Sequence, residues 1–182
     1  MVKIFFDTEF TGLHKNTDLI SIGLISEDDR IFYAELTDYD NNQIDEWLQK
    51  SVIDNLLFKD KYNFVDINIE EQGFNVSMKG TKDDLKRELT IWLEQFDKVE
   101  IWSDCLSYDW VLFSDIFGTS FDIPSNVYYI PFDICTLFKV HNINPDINRE
   151  DFTDTLLNTN MKHNALYDAK VIRDCYKKLM NI

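Results

Sequence analysis

The chain has 182 residues, 45% of them hydrophobic and 14% aromatic, which is enough apolar content for one domain (residues 1–182) with a real core and too much for a disordered chain. Its 33 acids against 18 Lys and Arg give a net charge of −15, which excludes a protein that wraps long nucleic acid through a basic surface. A nuclease that grips a few nucleotides through bound cations stays open. The three cysteines, Cys105, Cys135 and Cys175, are far apart and form no Cys-x-x-Cys pair, so the sequence argues against a disulfide framework or a zinc site and for a reduced, cytoplasmic setting. Asp7 and Glu9 interrupt the apolar start and no cleavage site follows, so a signal peptide is not expected. No run of ~18 apolar residues is present to cross a membrane.

Taken in order, Val2 to Phe6 reads as a buried strand, followed by Asp7-Thr8-Glu9 at its end and a turn at Thr11-Gly12. Asp18 to Ser26 reads as a second buried strand and Arg30 to Leu36 as a third, joined by the polar turn Glu27-Asp28-Asp29. Asp38-Tyr39-Asp40-Asn41-Asn42 looks like the start of a calcium loop, but Gln43 and Gln49 stand where such a loop wants Gly and Glu. A polar loop ending in a helix cap is the better reading. Gln43 to Phe58 carries Ile44, Trp47, Leu48, Leu56 and Leu57 at helical spacing. Lys59 to Lys79 reads as a long polar loop with room for short strands, a lid or an interface. Thr81 and Asp84 form a capping box for a helix with Leu85, Leu89, Trp92, Leu93 and Phe96 inward. Lys98 to Ser103 reads as a strand ended by Asp104, and Ser107 as the cap of a helix closed by Gly118. A strand over Val127 to Ile130, a helix over Asp133 to Val140, a short helix over Arg149 to Leu157 and a last helix from near Asn164 complete an α/β chain around one mixed sheet.

Chemistry enters through acids in apolar places. Asp7 and Glu9, one residue apart on an extended backbone, share a side, and two carboxylates beside a core ordinarily hold a cation. In the last helix Ala165, Asp168, Ile172, Cys175 and Leu179 fall on one face, apolar except for Asp168. Asp109 lies in the same way with Leu112, Phe113 and Ile116. A carboxylate facing a core is costly unless capped, paired or metal-bound. His163 stands at the start of the last helix, where the dipole disfavours a cation and suits a general base. Four acids and a histidine suit two divalent ions in a phosphoryl displacement, with Mg²⁺ or Mn²⁺ expected from the oxygen ligands.

Asp7-Thr8-Glu9, Asp109 and His163-Asn164-Ala165-Leu166-Tyr167-Asp168 resemble, in order and spacing, the motifs of the DEDDh class of 3′–5′ exonucleases, whose fold is RNase H-like: a mixed β-sheet flanked by helices. Ile101 to Phe113 is similar to small exoribonucleases of the RNase AS type, which trim RNA from its 3′ end and favour adenylate; oligoribonuclease and RNase T are more distant. The resemblance implies one metal shared by Asp7, Glu9 and Asp168, a second held by Asp7, Asp109 acting through water, and His163 as the base. It also implies that Phe10, Thr11, Gly12 and Leu13 seat the 3′-terminal nucleotide, and a homodimer. Asp104 departs from the Asn often found at its position, and Asp133 is an acid whose expected role is a helix cap. Lys139, Lys162 and Arg173 are candidates for phosphate contacts. The leading function is a metal-dependent 3′–5′ exoribonuclease releasing 5′-mononucleotides; the same chemistry on single-stranded DNA and a non-catalytic nucleic-acid-binding module are the alternatives.

Overall fold

The computed structural model describes residues 1–153 and 162–182. Seven strands form one mixed sheet: β1 (Val2–Phe10), β2 (Leu19–Ser26), β3 (Ile31–Leu36), β4 (Phe64–Glu70), β5 (Gly73–Gly80), β6 (Val99–Ser103) and β7 (Phe132–Asp133), in the order β4-β5-β3-β2-β1-β6-β7. β1, β2 and β3 form an antiparallel meander, and β6 and β7 run parallel to β1 on its other side. The helices are α1 (Glu46–Ser51), α2 (Lys82–Glu94), α3 (Ser107–Phe117), α4 (Ile134–Val140), α5 (Arg149–Thr153) and α6 (Ala165–Leu179). This is the expected α/β, RNase H-like arrangement.

Period-two alternation in β1 sorts the two layers. Ile4 and Phe6 join a cluster with Leu85, Leu89, Trp92, Leu112, Phe113 and Ile116 of α2 and α3. Phe5 joins Ile134, Phe138, Ile172, Cys175 and Leu179 of α4 and α6 on the opposite face. With helices on both sides, β2 is buried throughout, which is why it reads as an unbroken apolar run. The ladder between β1 and β2 shifts register between Glu9 and Phe10, a β-bulge. Beyond the bulge Ile20 leaves the main cores and packs with Leu48 and Val52 around α1.

Several expectations need correction. β1 runs to Phe10, so Asp7 and Glu9 lie inside the strand and not after it. The helix read over Gln43 to Phe58 is broken into a 3₁₀ turn at Asn41–Gln43, α1, and a second turn at Ile53–Asn55, because Asp40 and Asp45 each accept a backbone N–H and restart the chain. Residues 59–79 are chiefly a hairpin, β4 and β5, that extends the sheet beyond β3. Val127 makes a single bridge to Val99 and the rest of the expected strand does not form; the edge position goes to β7 instead. Ser107 makes no capping bond to α3; Asp133 accepts the N–H groups of Cys105 and Leu106 and also caps α4 through Cys135 N. The helix expected over Arg149 to Leu157 is described to Thr153, and its remainder lies outside the described residues. The Thr81–Asp84 capping box and the Asn164 cap of α6 stand as expected. No described helix is long and apolar enough to cross a membrane.

Candidate active site

Strand β6 stops pairing with β1 at Phe5, opposite Trp102, while β1 continues for five more residues. That unequal length opens a crevice at the carboxyl ends of two parallel strands, the usual location of a site in an α/β sheet. Asp7 and Glu9 point to the face covered by α6, and Thr8 points to the face covered by α3. Asp109, in the first turn of α3, accepts the Thr8 N–H at 3.1 Å and the Thr8 hydroxyl through the same Oδ1. A side chain of α3 thus satisfies a strand N–H in the stretch where β1 has outrun β6.

Asp168 reaches Asp7 because α6 starts against β2. Gly23 is the register partner of Asp7, and a Cβ there would lie 2.3–2.5 Å from the backbone of Ala165 and Leu166. Only a residue without a side chain lets the first turn of α6 sit this close to the sheet. A buried chain of hydrogen bonds fixes the same turn: Glu35 Oε1 accepts from Phe58 N and the Tyr33 hydroxyl, the Tyr33 oxygen accepts from Asn164 Nδ2, and Asn164 Oδ1 accepts from Tyr167 N.

These constraints bring one oxygen each from Asp7, Glu9 and Asp168 within 4.8 Å of one another. Among the described residues no Lys or Arg forms an ion pair with these three acids or with Asp109. Burial and then the neighbouring acids Asp109, Asp168, Glu9 and Asp104 raise the Asp7 carboxyl well above its ordinary range. Burial, with Asp168 and Asp109, pushes Glu9 up to about 8. Asp168 rises to about 7, chiefly through burial, with Glu150 and Asp104 adding to it and the His163 N–H and the charge of Lys162 opposing it. Asp109 rises to about 6, where burial outweighs the bonds from Thr8. Three convergent oxygens with raised proton affinity, and no ion pair to any of them among the described residues, fit a hard divalent ion.

A pH dependence follows. Each of these groups binds protons more tightly folded than unfolded, so its stabilising contribution is present at low pH and lost as pH rises towards its folded value. Metal-free protein is therefore expected to melt at progressively lower temperature from about pH 6 to about pH 8.5. Added Mn²⁺ or Mg²⁺ should raise Tm, by about 5–10 °C at saturating concentration, and more at the higher pH where it competes with fewer protons. Thermal melts in chelator and in metal across that range check this; a flat Tm in chelator, or a larger metal shift at pH 6, contradicts it.

His163 occupies the left-handed region, φ 62°, and its N–H donates to Asp168 Oδ2 at 3.1 Å, so acid and histidine are positioned together. Burial, then the charge of Lys162, lowers its pKa, which favours the neutral imidazole a base requires. Its ring meets Trp47 edge-on, 5.3 Å between centroids. Trp47, read as part of an inward face, is 57% exposed; α1, docked by Leu48, holds it there.

Asp104, the departure noted in the sequence, does not stand as a free charge. Arg149 bonds both its oxygens, at 2.6 and 2.9 Å, and Cys135 Sγ donates to it at 3.0 Å. Although Asp104, Asp133 and Cys135 also cluster, Arg149 and the backbone donors already use their oxygens. Asp7, Asp104, Arg149, Glu150, Lys162, His163 and Asp168 line one open cleft of about 440 Å³. Of the suggested phosphate contacts, Lys162 is on this cleft, paired with Glu150 at 3.2 Å; Lys139 and Arg173 are not, and Arg173 pairs with Asp29 and Asp174.

At the end of β1 Phe10 stacks on Tyr108, 5.5 Å between centroids, and packs on the core; the turn follows. Thr11 is buried, its hydroxyl donating to Gln43 and accepting from Asp18 N. Gly12 N donates to the Thr17 hydroxyl, and Leu13 is 77% exposed. The positions that sequence reasoning passed over are Thr8, Gly23, Trp47, Arg149 and Glu150. Only Gly23 carries a local signal, a glycine inside an apolar strand.

A family model described as the 3′-5′ exoribonuclease Rv2179c-like domain matches residues 2–180, and the chain belongs to that family. Two relatives are proteins of Mycobacterium tuberculosis named 3′-5′ exoribonuclease Rv2179c (strain H37Rv) and 3′-5′ exoribonuclease MT2234.1 (strain CDC 1551). Each is 26% identical to this chain over 132 residues, covering 69% of this chain and 67% of its own length.

Proposed function

We propose that this family member is a DEDDh-type 3′–5′ exoribonuclease that removes nucleoside 5′-monophosphates one at a time from the 3′ end of single-stranded or short RNA. The observation that carries the reading is the convergence of Asp7, Glu9 and Asp168, with His163 bonded to Asp168 and an open cleft lined by Asp7, His163 and Asp168. Asp7, Glu9 and Asp168 would hold one Mg²⁺ or Mn²⁺ and Asp7 a second, with Asp109 steadying the pair from the far side of β1. When bound, such ions supply an activated water and neutralise charge on the phosphate oxygens and the departing oxygen.

The chain itself supplies the rest. His163, neutral at physiological pH, takes the proton from the attacking water at one ring nitrogen, and its backbone bond to Asp168 fixes where that ring starts from. Water adds to the phosphorus of the last phosphodiester, the bond to the 3′ oxygen of the preceding nucleotide breaks, and the freed terminal nucleotide keeps the phosphate at its 5′ position. By the same resemblance, Phe10, Gly12 and Leu13 would pack on that nucleotide. Thr11 would serve through its backbone, since its hydroxyl is engaged in holding the turn. With Lys162 the cleft offers few cationic contacts, so binding should show a shallow salt slope.

The test is a 5′-labelled RNA oligonucleotide, matched with the same DNA sequence, incubated with Mg²⁺ or Mn²⁺. A ladder shortening by single nucleotides from the 3′ end, faster on RNA, is expected. His163→Asn should lower kcat by about 10²–10⁴-fold with little change in KM. Absence of mononucleotide release, or a His163→Asn enzyme as fast as wild type, would overturn the proposal; equal rates on DNA would replace the RNA preference with general single-strand activity.

A further inference from the structure

Helix α3 presents two sides. Leu112, Phe113 and Ile116 are buried in the core, while Ser107, Val111 and Asp115, spaced four residues apart, form an exposed row beside them. With His14 and Lys15 that row borders an open groove of about 530 Å³, which Tyr108 and Leu112 also line. Val111 is 63% exposed although apolar. Tyr108 stacks on Phe10 with 18° between the ring planes, so a ring packed on the core braces it. The loop opposite is held by its own bonds: Gly12 N donates to the Thr17 hydroxyl, His14 N to Gly12 O, and Thr17 N to His14 O. Both walls of the groove are therefore preformed.

Among the described residues His14 and Lys15 form no ion pair, and Asp115 is engaged by Lys82. On a molecule of net charge −15 the groove thus sets an unpaired lysine beside a flat aromatic ring and aliphatic surface. It also adjoins the catalytic cleft. Cys105 lines the cleft and Ser107 lines the groove, and two residues of chain span at most ~7 Å. We propose that this groove binds the nucleotides immediately upstream of the 3′-terminal one in single-stranded RNA, with an unstacked base on Tyr108 and Val111 and a phosphate at Lys15. The inference rests on the exonuclease reading given above and adds to it a preference for chains longer than two nucleotides. A single strand of flat bases and charged phosphates uses both halves of the groove, whereas an apolar protein segment would leave Lys15 without a partner.

Two measurements on the full chain test it. Release of the terminal nucleotide is timed with RNA of two, three, four and six nucleotides. Hexamers with 4-thiouridine third from the 3′ end, and a phosphorothioate last linkage to slow release, are cross-linked by light and the attached peptide identified. KM should fall about 10-fold from dimer to tetramer and then level, with kcat little changed. Val111→Asp and Lys15→Glu, both at exposed positions, should erase most of that length dependence. Lys15→Glu should also lower the salt slope of hexamer binding by about one. The cross-link should fall within residues 107–115. Mononucleotide release with no length dependence, a length dependence that both variants keep, or cross-links that avoid α3 would overturn the subsite and leave the exonuclease standing; the first of these would assign the groove to a protein partner. No release from any RNA, with the cross-link to α3 present, would overturn the exonuclease reading and keep the groove as an RNA site.

Discussion

Asp7→Asn is expected to abolish nucleotide release, by on the order of 10⁴-fold, while raising the melting temperature of the metal-free protein. The two effects have one cause. Burial and then Asp109, Asp168, Glu9 and Asp104 all oppose the charge of Asp7. An amide of the same shape keeps the packing, removes the repulsion and adds an N–H that can donate to Glu9 or Asp168. Relief of about 1–2 kcal/mol would appear as a Tm gain of about 3–6 °C for a chain of this size at pH 8 in chelator. Added metal should then produce a smaller shift than in wild type. Melting curves with and without chelator, beside the RNA ladder assay, measure both halves. A variant that keeps its activity, or one that melts lower without metal, would show that Asp7 is not the centre of a cation site.

Gly23→Ala is expected to destabilise the protein by about 3 kcal/mol and to lose most of its activity, although Gly23 touches no substrate. The added methyl would overlap backbone atoms of Ala165 and Leu166 at 2.3–2.5 Å, and backbone cannot swing aside as a side-chain tip can. Either β2 or the first turn of α6 must move, and Asp168 and His163 move with the latter. Denaturant unfolding gives the stability loss. Activity at saturating metal and substrate, measured well below the new Tm, separates displacement of the acids from simple unfolding. A variant with wild-type stability would mean that α6 has room to retreat; one with lower stability but normal kcat would mean that the site tolerates that retreat.

Both predictions concern residues of very different legibility. The acids could be found in the sequence because each breaks a pattern: Asp168 and Asp109 interrupt apolar helix faces, and Asp7 and Glu9 follow an apolar run. Strands β1 to β3 were equally readable, since burial on both faces leaves continuous aliphatic stretches. The hairpin of β4 and β5 reads from the sequence only as a polar loop with room for short strands, because its outer strand is solvated and half polar, with Asn and Lys in place of a core signal. Helix α1 is shorter than its apolar spacing predicts, because Ile44, Leu56 and Leu57 keep helical spacing while Asp40 and Asp45 interrupt the backbone through their own bonds. Val127 to Ile130 has strand composition but no second partner beyond Val99. Asp104, an unexplained charge in the sequence, needed Arg149, 45 residues away, to become an ion pair. Contacts of that kind follow from tertiary geometry and leave no local trace.

The bond from Asp109 to Thr8 bears on how any alanine scan of the site is to be read. Truncating Asp109 removes an acid and at the same moment strands the Thr8 N–H and hydroxyl, which have no other partner among the described residues. The measured loss would therefore mix chemistry with repair of a sheet, and would overstate the first. Asp109→Asn keeps a carbonyl oxygen for the N–H and changes only the charge, whereas Thr8→Val keeps the charge and removes only the hydroxyl. A double-mutant cycle between those two conservative changes would divide the role of α3 into a scaffold part and a charge part.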